Sequence, residues 1–198
     1  MRTELSLCSW LRLEPAFIGA RESGALLSAL VRELAWEARE IVLFGKRIVQ
    51  PRLIAWAGSV PYRYSGQTLP AREPSPTLAE LMERVERATC GDFNHVLVNR
   101  YRHGQDSMGF HSDDEPELGE DPLLASLSLG ATRRFVIHPK KKSLGIASRT
   151  LELRDGDLLV MGGAFQHELR HGVPKQPGVS AERVNLTFRR LITSPGGS

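Results

Sequence analysis

From Gly91 onward the chain is a succession of short β-rich runs cut by Gly, Pro and Asp turns, at 93–101, 123–130, 134–138, 150–153, 157–161 and 183–191. A run this short buries an apolar stripe only by pairing with others. Many of them in one stretch call for two antiparallel sheets packed as a sandwich or jelly roll. Two helices are expected before them. Residues 24–40 put Leu26, Leu27, Leu30, Val31 and Leu34 on one face, with Ser23 as the cap. Thr77 opens the second helix, through Leu78, Leu81, Met82 and Val85, with Glu80 completing a capping box. Between them lie a hydrophobic turn at 42–46, a short strand at 52–56 and a proline-rich loop at 68–77. The fold class is therefore α+β, and no internal repeat is visible. The expected layout is one domain over 1–198: helices with a lid and finger region over 1–90, a β core over 91–192 and a disordered tail at 193–198.

Composition excludes several classes. With 198 residues, 41% of them hydrophobic, the chain can bury a sizeable core and is not a disordered polymer. No 18-residue stretch is free of charge, so no membrane helix is expected. The first fifteen residues are broken by charges before a secretory core can form. Cys8 and Cys90 cannot build a disulfide framework. The expected compartment is reducing: cytoplasm, or nucleus in a eukaryote. The net charge of +3 permits a polyanionic partner without requiring one. Three of the five lysines stand together at Lys140, Lys141 and Lys142.

The densest polar chemistry lies between Asn99 and Glu115 and contains His111-Ser112-Asp113. In extended backbone, residues i and i+2 share a face, so His111 and Asp113 can reach one metal ion together. By composition a His-x-Asp match arises in about one of five shuffled chains, so a lone pair of this kind is more often structural than functional. Downstream, residues 167–171 spell His-Glu-Leu-Arg-His, literally the zinc-peptidase signature. That signature works only on a helix, and Gly162-Gly163, Gly172 and Pro174 leave little room for one of two or more turns. In an extended segment one histidine suffices as a ligand. His171, beside the Gly/Pro turn, is the better candidate, and His167 belongs at the surface or behind the ligands. Two histidines and a carboxylate leave open coordination positions and suit Fe(II) oxygenases.

In Arg183-Val-Asn185-Leu-Thr187-Phe-Arg189 the polar residues alternate with apolar ones. On a strand, Arg183, Asn185, Thr187 and Arg189 share one face. Either that face is a solvated edge, or its guanidiniums await a dicarboxylate.

Together these motifs resemble the AlkB family of Fe(II)- and 2-oxoglutarate-dependent nucleic-acid dealkylases, over residues 44–191. The pattern N-x-Y…G-x-H-x-D stands as Asn99, Tyr101, Gly109, His111 and Asp113, followed by His171 and the complete R-x-N-x-T-x-R run. The resemblance implies a double-stranded β-helix with a nucleotide-recognition lid. It implies Fe(II) on His111, Asp113 and His171, with O₂ as co-substrate. It implies 2-oxoglutarate clamped by Arg183 and Arg189 with help from Asn99, Tyr101 and Asn185. Tyr62, Tyr64 and Ser65 resemble the lid over the damaged base, which Asp114 and Glu115 would face. Phe44 resembles the finger of duplex-acting members, and Lys140–Lys142 would hold phosphates. The implied function is oxidative demethylation of bases of the 1-methyladenine and 3-methylcytosine type in alkylated DNA, by a monomer. The alternatives are a 2-oxoglutarate oxygenase acting on RNA or protein, a nucleic-acid binder with a dead site, and a zinc peptidase.

Overall fold

The computed structural model describes residues 2–43, 46–64 and 66–192; of residues 41–43, 46–47 and 64 only the backbone is described. Phe44, Ser65 and the tail from 193 to 198 lie outside the described residues. In chain order the elements are β1 (Arg2–Glu4), β2 (Ser9–Glu14), α1 (Ala20–Glu33), β3 (Glu40–Leu43), β4 (Lys46–Val49), β5 (Leu53–Gly58), β6 (Tyr62–Tyr64), β7 (Gln67–Leu69) and α2 (Pro76–Thr89). There follow β8 (His95–Tyr101), β9 (Met108–His111), β10 (Leu124–Gly130), β11 (Arg133–Pro139), β12 (Arg149–Leu153), β13 (Leu158–Gly163), α3 (Phe165–Glu168), β14 (Leu169–Val173) and β15 (Arg183–Arg189).

The strands form the two layers of a jelly roll. A seven-stranded sheet runs β1-β2-β13-β10-β15-β8-β5, and a four-stranded sheet runs β12-β11-β14-β9. The hairpins β3–β4 and β6–β7 stand apart as two-stranded ribbons. Alternation explains the layering. On β15, Val184, Leu186 and Phe188 face the helices and pack with Leu30, Leu78, Leu81 and Val85. The polar residues of the same strand face the smaller sheet. A second cluster, with Leu124, Phe135, Ile137, Leu159, Met161 and Phe165, fills the space between the sheets at one end. A third, with Ile54, Trp56, Tyr62, Leu69 and Leu97, seats the β6–β7 hairpin on the large sheet. Among the described residues no helix is long and apolar enough to cross a membrane.

Several boundaries differ from the sequence expectation. The first helix spans 20–33, not 24–40, and its cap is Gly19 rather than Ser23. Ser23 is buried inside the helix, where its hydroxyl donates to Asp155 Oδ1. The helical pattern fails beyond Leu34 because Glu37 forms an antiparallel bridge with Ile54. The second helix is capped by Ser75, whose Oγ accepts from the Leu78 amide at 3.3 Å, and Pro76 presets its first turn. Thr77 is therefore inside the helix, and Glu80 cannot close a capping box. Of the turn expected at 42–46, Val42 and Leu43 lie on β3 and Lys46 on β4, and the loop expected at 68–77 begins as strand β7.

Candidate active site

The polar face of the large sheet is built by register. Asn185 lies opposite Asn99 on one side and Ser128 on the other; Arg183 lies opposite Tyr101, and Thr187 opposite Ser126. Directly opposed residues share a face, so one row of polar side chains floors the space between the sheets. All seven residues of β15 are buried. The strand sits inside the sheet, between β10 and β8, which overturns the solvated-edge alternative. The cavity above this floor encloses about 420 Å³ with its mouth. Asn99, Tyr101, Arg183, Asn185 and Arg189 line it together with His111, Asp113 and His171.

The histidines come from the smaller sheet. β9 and β14 pair with His111 opposite His171, and Asp113 follows two residues after β9. His111 Nε2 stands 4.0 Å from Asp113 Oδ1, and His171 Nε2 stands 3.9 Å from Asp113 Oδ2. The three ligand atoms lie within 4.8 Å of one another. His111 Nδ1 is 3.0 Å from the Gly109 carbonyl, a hydrogen bond that puts the proton on Nδ1 and leaves the Nε2 lone pair for a metal. Phe135 stacks on His171, with ring centroids 5.1 Å apart. Burial pushes His111 down and His171 down to about 3, so both imidazoles are neutral, as ligands must be. Burial alone would raise the Asp113 carboxyl; the charge and hydrogen bond of Arg189 outweigh it and hold it below the usual carboxylate range. Two neutral imidazoles and one carboxylate, with the fourth side open to the cavity, fit Fe(II) with positions to spare.

The peptidase signature does not form. Helix α3 is a single turn ending at Glu168, and His171 lies on β14. His167 is exposed and outside the cavity.

A second fit concerns the anion. Arg183 is 1% exposed and lies over the Tyr101 ring at 5.3 Å. Its Nη2 donates to Ser128 Oγ at 2.9 Å, while Nε and Nη1 have no partner among the described residues. A buried guanidinium with idle donors facing a cavity is costly without an anionic ligand, and a carboxylate matches its fork. Arg189 differs in its partner: its Nη2 donates at 2.9 Å to the carboxylate of Asp113, which compensates its charge, where Arg183 meets a neutral hydroxyl. The Asn185 amide donates to Ser126 Oγ and to the Leu127 carbonyl, and Asn99 Oδ1 accepts from Arg52 Nε at 2.6 Å.

The outer residues are less convergent. Tyr62 is fully buried; its ring lies 5.3 Å from the Arg189 guanidinium and 5.0 Å from the His95 ring, and it does not line the cavity. Burial pushes its phenol far up, and the nearby carboxylates of Asp113 and Glu115 push the same way. Burial and the nearby Asp113 raise Glu115, which lines an open cleft beside Arg63 and Gly66. Asp114 is ion-paired with Lys140 at 2.7 Å, whereas Lys141 and Lys142 are exposed. Of Tyr64 only the β6 backbone is described, and Phe44 and Ser65 lie outside the described residues.

Sequence reasoning missed four contributors. Ser126 and Ser128 carry a period-2 signal within the run 123–130 that could have been read. Arg52 opens the strand expected at 52–56 without marking a site. Gln166, whose Oε1 accepts from the Asp113 amide at 3.0 Å, gives no local signal.

Residues 11–189 match the family model of the 2OG-Fe(II) oxygenase superfamily, and the chain belongs to that superfamily, in its AlkB-type branch. It is an Fe(II)- and 2-oxoglutarate-dependent dioxygenase that uses O₂. The chain is 39% identical over 193 residues to the alpha-ketoglutarate-dependent dioxygenase alkB homolog 3 of Homo sapiens, covering 94% of this chain and 68% of that protein. It is 35% identical to the DNA oxidative demethylase ALKBH2 of Homo sapiens, covering 88% of this chain and 70% of that protein. Among solved structures, OsALKBH1 shares the fold with a TM-score of 0.61 at 18% identity, covering 91% of this chain and 97% of that one. An oxidoreductase of the 2OG-Fe(II) oxygenase family from Burkholderia pseudomallei does so with a TM-score of 0.60 at 20% identity, over 90% of this chain and 84% of that one.

Proposed function

We propose that the enzyme removes alkyl groups from damaged nucleic-acid bases, with DNA carrying 1-methyladenine or 3-methylcytosine as its substrate. The observation that carries this reading is the buried pairing of the His111–Asp113–His171 triad with Arg183, in a chain similar to a DNA oxidative demethylase. His111, Asp113 and His171 would hold Fe(II), and the idle donors of Arg183 would bind a 2-oxoglutarate carboxylate. Arg189 would serve chiefly to orient Asp113 and keep it ionised. When bound, Fe(II), 2-oxoglutarate and O₂ supply the oxidation of an unactivated N-alkyl carbon, after which the alkyl group leaves as an aldehyde. The chain's part is to neutralise and position. Its two neutral imidazoles donate lone pairs, Phe135 fixes the His171 ring, and the buried floor excludes water. A damaged base must leave its stack to reach this cavity, at a cost of a few kcal/mol that is lowest for lesions that pair poorly. Glu115, which lines the open cleft beside Arg63, would meet such a base there.

The test uses oligonucleotides carrying 1-methyladenine, 3-methylcytosine or an etheno lesion, in DNA and in RNA, with Fe(II) and 2-oxoglutarate present or omitted. Aldehyde release and base restoration only when both are present is the expected result. Turnover of 2-oxoglutarate with none of these substrates repaired would overturn the reading. Repair of RNA alone would move the substrate from DNA to RNA.

A further inference from the structure

Phe110 is 47% exposed, on a sheet edge, one residue before a metal-binding histidine. A bulge puts it there. Between the pairs His171–His111 and Val173–Met108, strand β9 spends one residue more than β14. Met108 and His111 consequently both reach the inner face, and Phe110 is left on the outer one. Gly172 makes room for its ring: a Cβ added there would stand 3.2 Å from Phe110 Cδ1. The ring meets that of His138 at a centroid distance of 4.7 Å, and the Arg170 guanidinium lies 5.8 Å away.

His138 and Arg170 are directly opposed across β11 and β14, so aromatic and cation occupy one patch. The chain then runs from His138 straight into Lys140, Lys141 and Lys142. Asp114 is engaged by Lys140, and Glu152, farther along the sheet, lies opposite Arg134 on β12 and β11. Glu168 is turned away, accepting from the hydroxyls of Ser6 and Ser9. An exposed aromatic on a sheet edge invites unwanted pairing and is normally blunted by charge. Here charge rings the aromatic without covering it.

We propose that Phe110, His138 and Arg170 form a stacking platform for an unpaired nucleotide of the substrate strand outside the catalytic cavity, with Lys141 and Lys142 on its phosphates. Exposed aromatic faces take splayed bases of any sequence, and arginine adds a cation over the same face. A base held in a duplex offers no free face, so the platform favours single strands. The inference rests on the nucleic-acid reading above, because it supplies a second foothold for the same strand.

The test is the affinity of the purified protein for an unmodified single-stranded oligonucleotide of about ten thymidines, measured by fluorescence anisotropy. Phe110→Ala should weaken it by about 5- to 150-fold, the range of one base–aromatic stack. Phe110→Trp should retain it, and Arg170→Ala should weaken it less. Turnover of 1-methyl-dAMP, too short to span both places, should be unchanged in all three variants. Unaltered oligonucleotide affinity in Phe110→Ala, with the mononucleotide still turned over, would overturn the platform and leave the proposed function standing. Equal loss on the oligonucleotide and the mononucleotide would also overturn it, by showing that Phe110 acts through His111. A wild-type protein that neither binds the oligonucleotide nor turns over the mononucleotide would instead sink the underlying reading.

Discussion

Arg189 donates a 2.9 Å hydrogen bond from Nη2 to Oδ1 of Asp113, so the last strand of the large sheet is tied to the carboxylate of the triad. Both side chains are 2% exposed. A pair this deep is worth little against an apolar replacement of both partners, but breaking one side strands a buried charge. Its value is geometric: it keeps Asp113 ionised and aimed between His111 and His171. The division of labour between the two arginines follows. Arg183 spends one donor on a neutral hydroxyl and keeps its charge for a ligand, whereas the charge of Arg189 is paired with Asp113.

Replacement of His111, Asp113 or His171 by Ala should each abolish stoichiometric Fe(II) binding, followed anaerobically by metal analysis after gel filtration. His167→Ala should bind metal like the wild type, because His167 is exposed and off the cavity. Loss of metal in His167→Ala as severe as in His171→Ala would refute the triad.

Arg183→Lys should raise the apparent Kd for 2-oxoglutarate by roughly 30- to 4,000-fold, the equivalent of about 2–5 kcal/mol for a truncated buried charge pair. An ammonium cannot reproduce the planar fork. Arg183→Met should lose the ligand too, while the melting temperature of the ligand-free protein holds or rises, because an uncompensated buried cation has been removed. Titration calorimetry and thermal melts together check both halves. Unchanged 2-oxoglutarate affinity would remove Arg183 from the site.

His95 sets an acid limit on stability. Both its ring nitrogens lack hydrogen-bond partners among the described residues, and burial, helped by Arg189, pushes it down to about 3. The unfolded chain takes up this proton below about pH 6.5, whereas the folded protein refuses it until about pH 3. The unfolded state therefore binds more protons between those values, and stability falls as pH falls. The slope approaches about 1.4 kcal/mol per pH unit for this one group. His95→Phe should flatten the decline of the melting temperature between pH 6.5 and 4.5 relative to the wild type. Identical pH profiles would show that His95 is not held neutral in the fold.

Phe44→Ala should lower repair of lesions in duplex DNA by about 5- to 150-fold, the equivalent of a stacking contribution of about 1–3 kcal/mol, while activity on single strands and thermal stability hold. Side-by-side kinetics on both substrates with a thermal melt decide it. Equal loss on both, with a lowered melting temperature, would make Phe44 a packing residue.

The triad and the arginine strand were legible in the sequence because each follows a backbone period. His111 and Asp113 are two apart, and Arg183, Asn185, Thr187 and Arg189 alternate, so local geometry already puts them together. The assignment of His171 over His167 also followed from local chemistry, since the flanking glycines and Pro174 leave room for a single helical turn but not for one that carries both histidines. Helix ends were misplaced where a tertiary partner took over the capping residue: Ser23 looked like a cap until Asp155, far along the chain, claimed its hydroxyl. The same limit hid the surroundings of the site. Tyr62 was expected at the cavity, but a lid residue's depth depends on what it packs against, here Arg189 and His95. Lys140 was expected on phosphate, but Asp114 occupies it, and no spacing rule joins residues that follow two different strands.

The bulge in β9 has a consequence for how such an enzyme can change. A regular strand couples its two faces, since moving one side chain by a residue flips every neighbour. With the irregularity fixed between Met108 and His111, the outward position is uncoupled from the ligand beside it. Substitutions at Phe110 can retune grip on the strand while the iron-binding histidine keeps its aim. Deleting one residue there would rotate His111 out of the centre and end the chemistry. The segment is permissive in identity and intolerant in length.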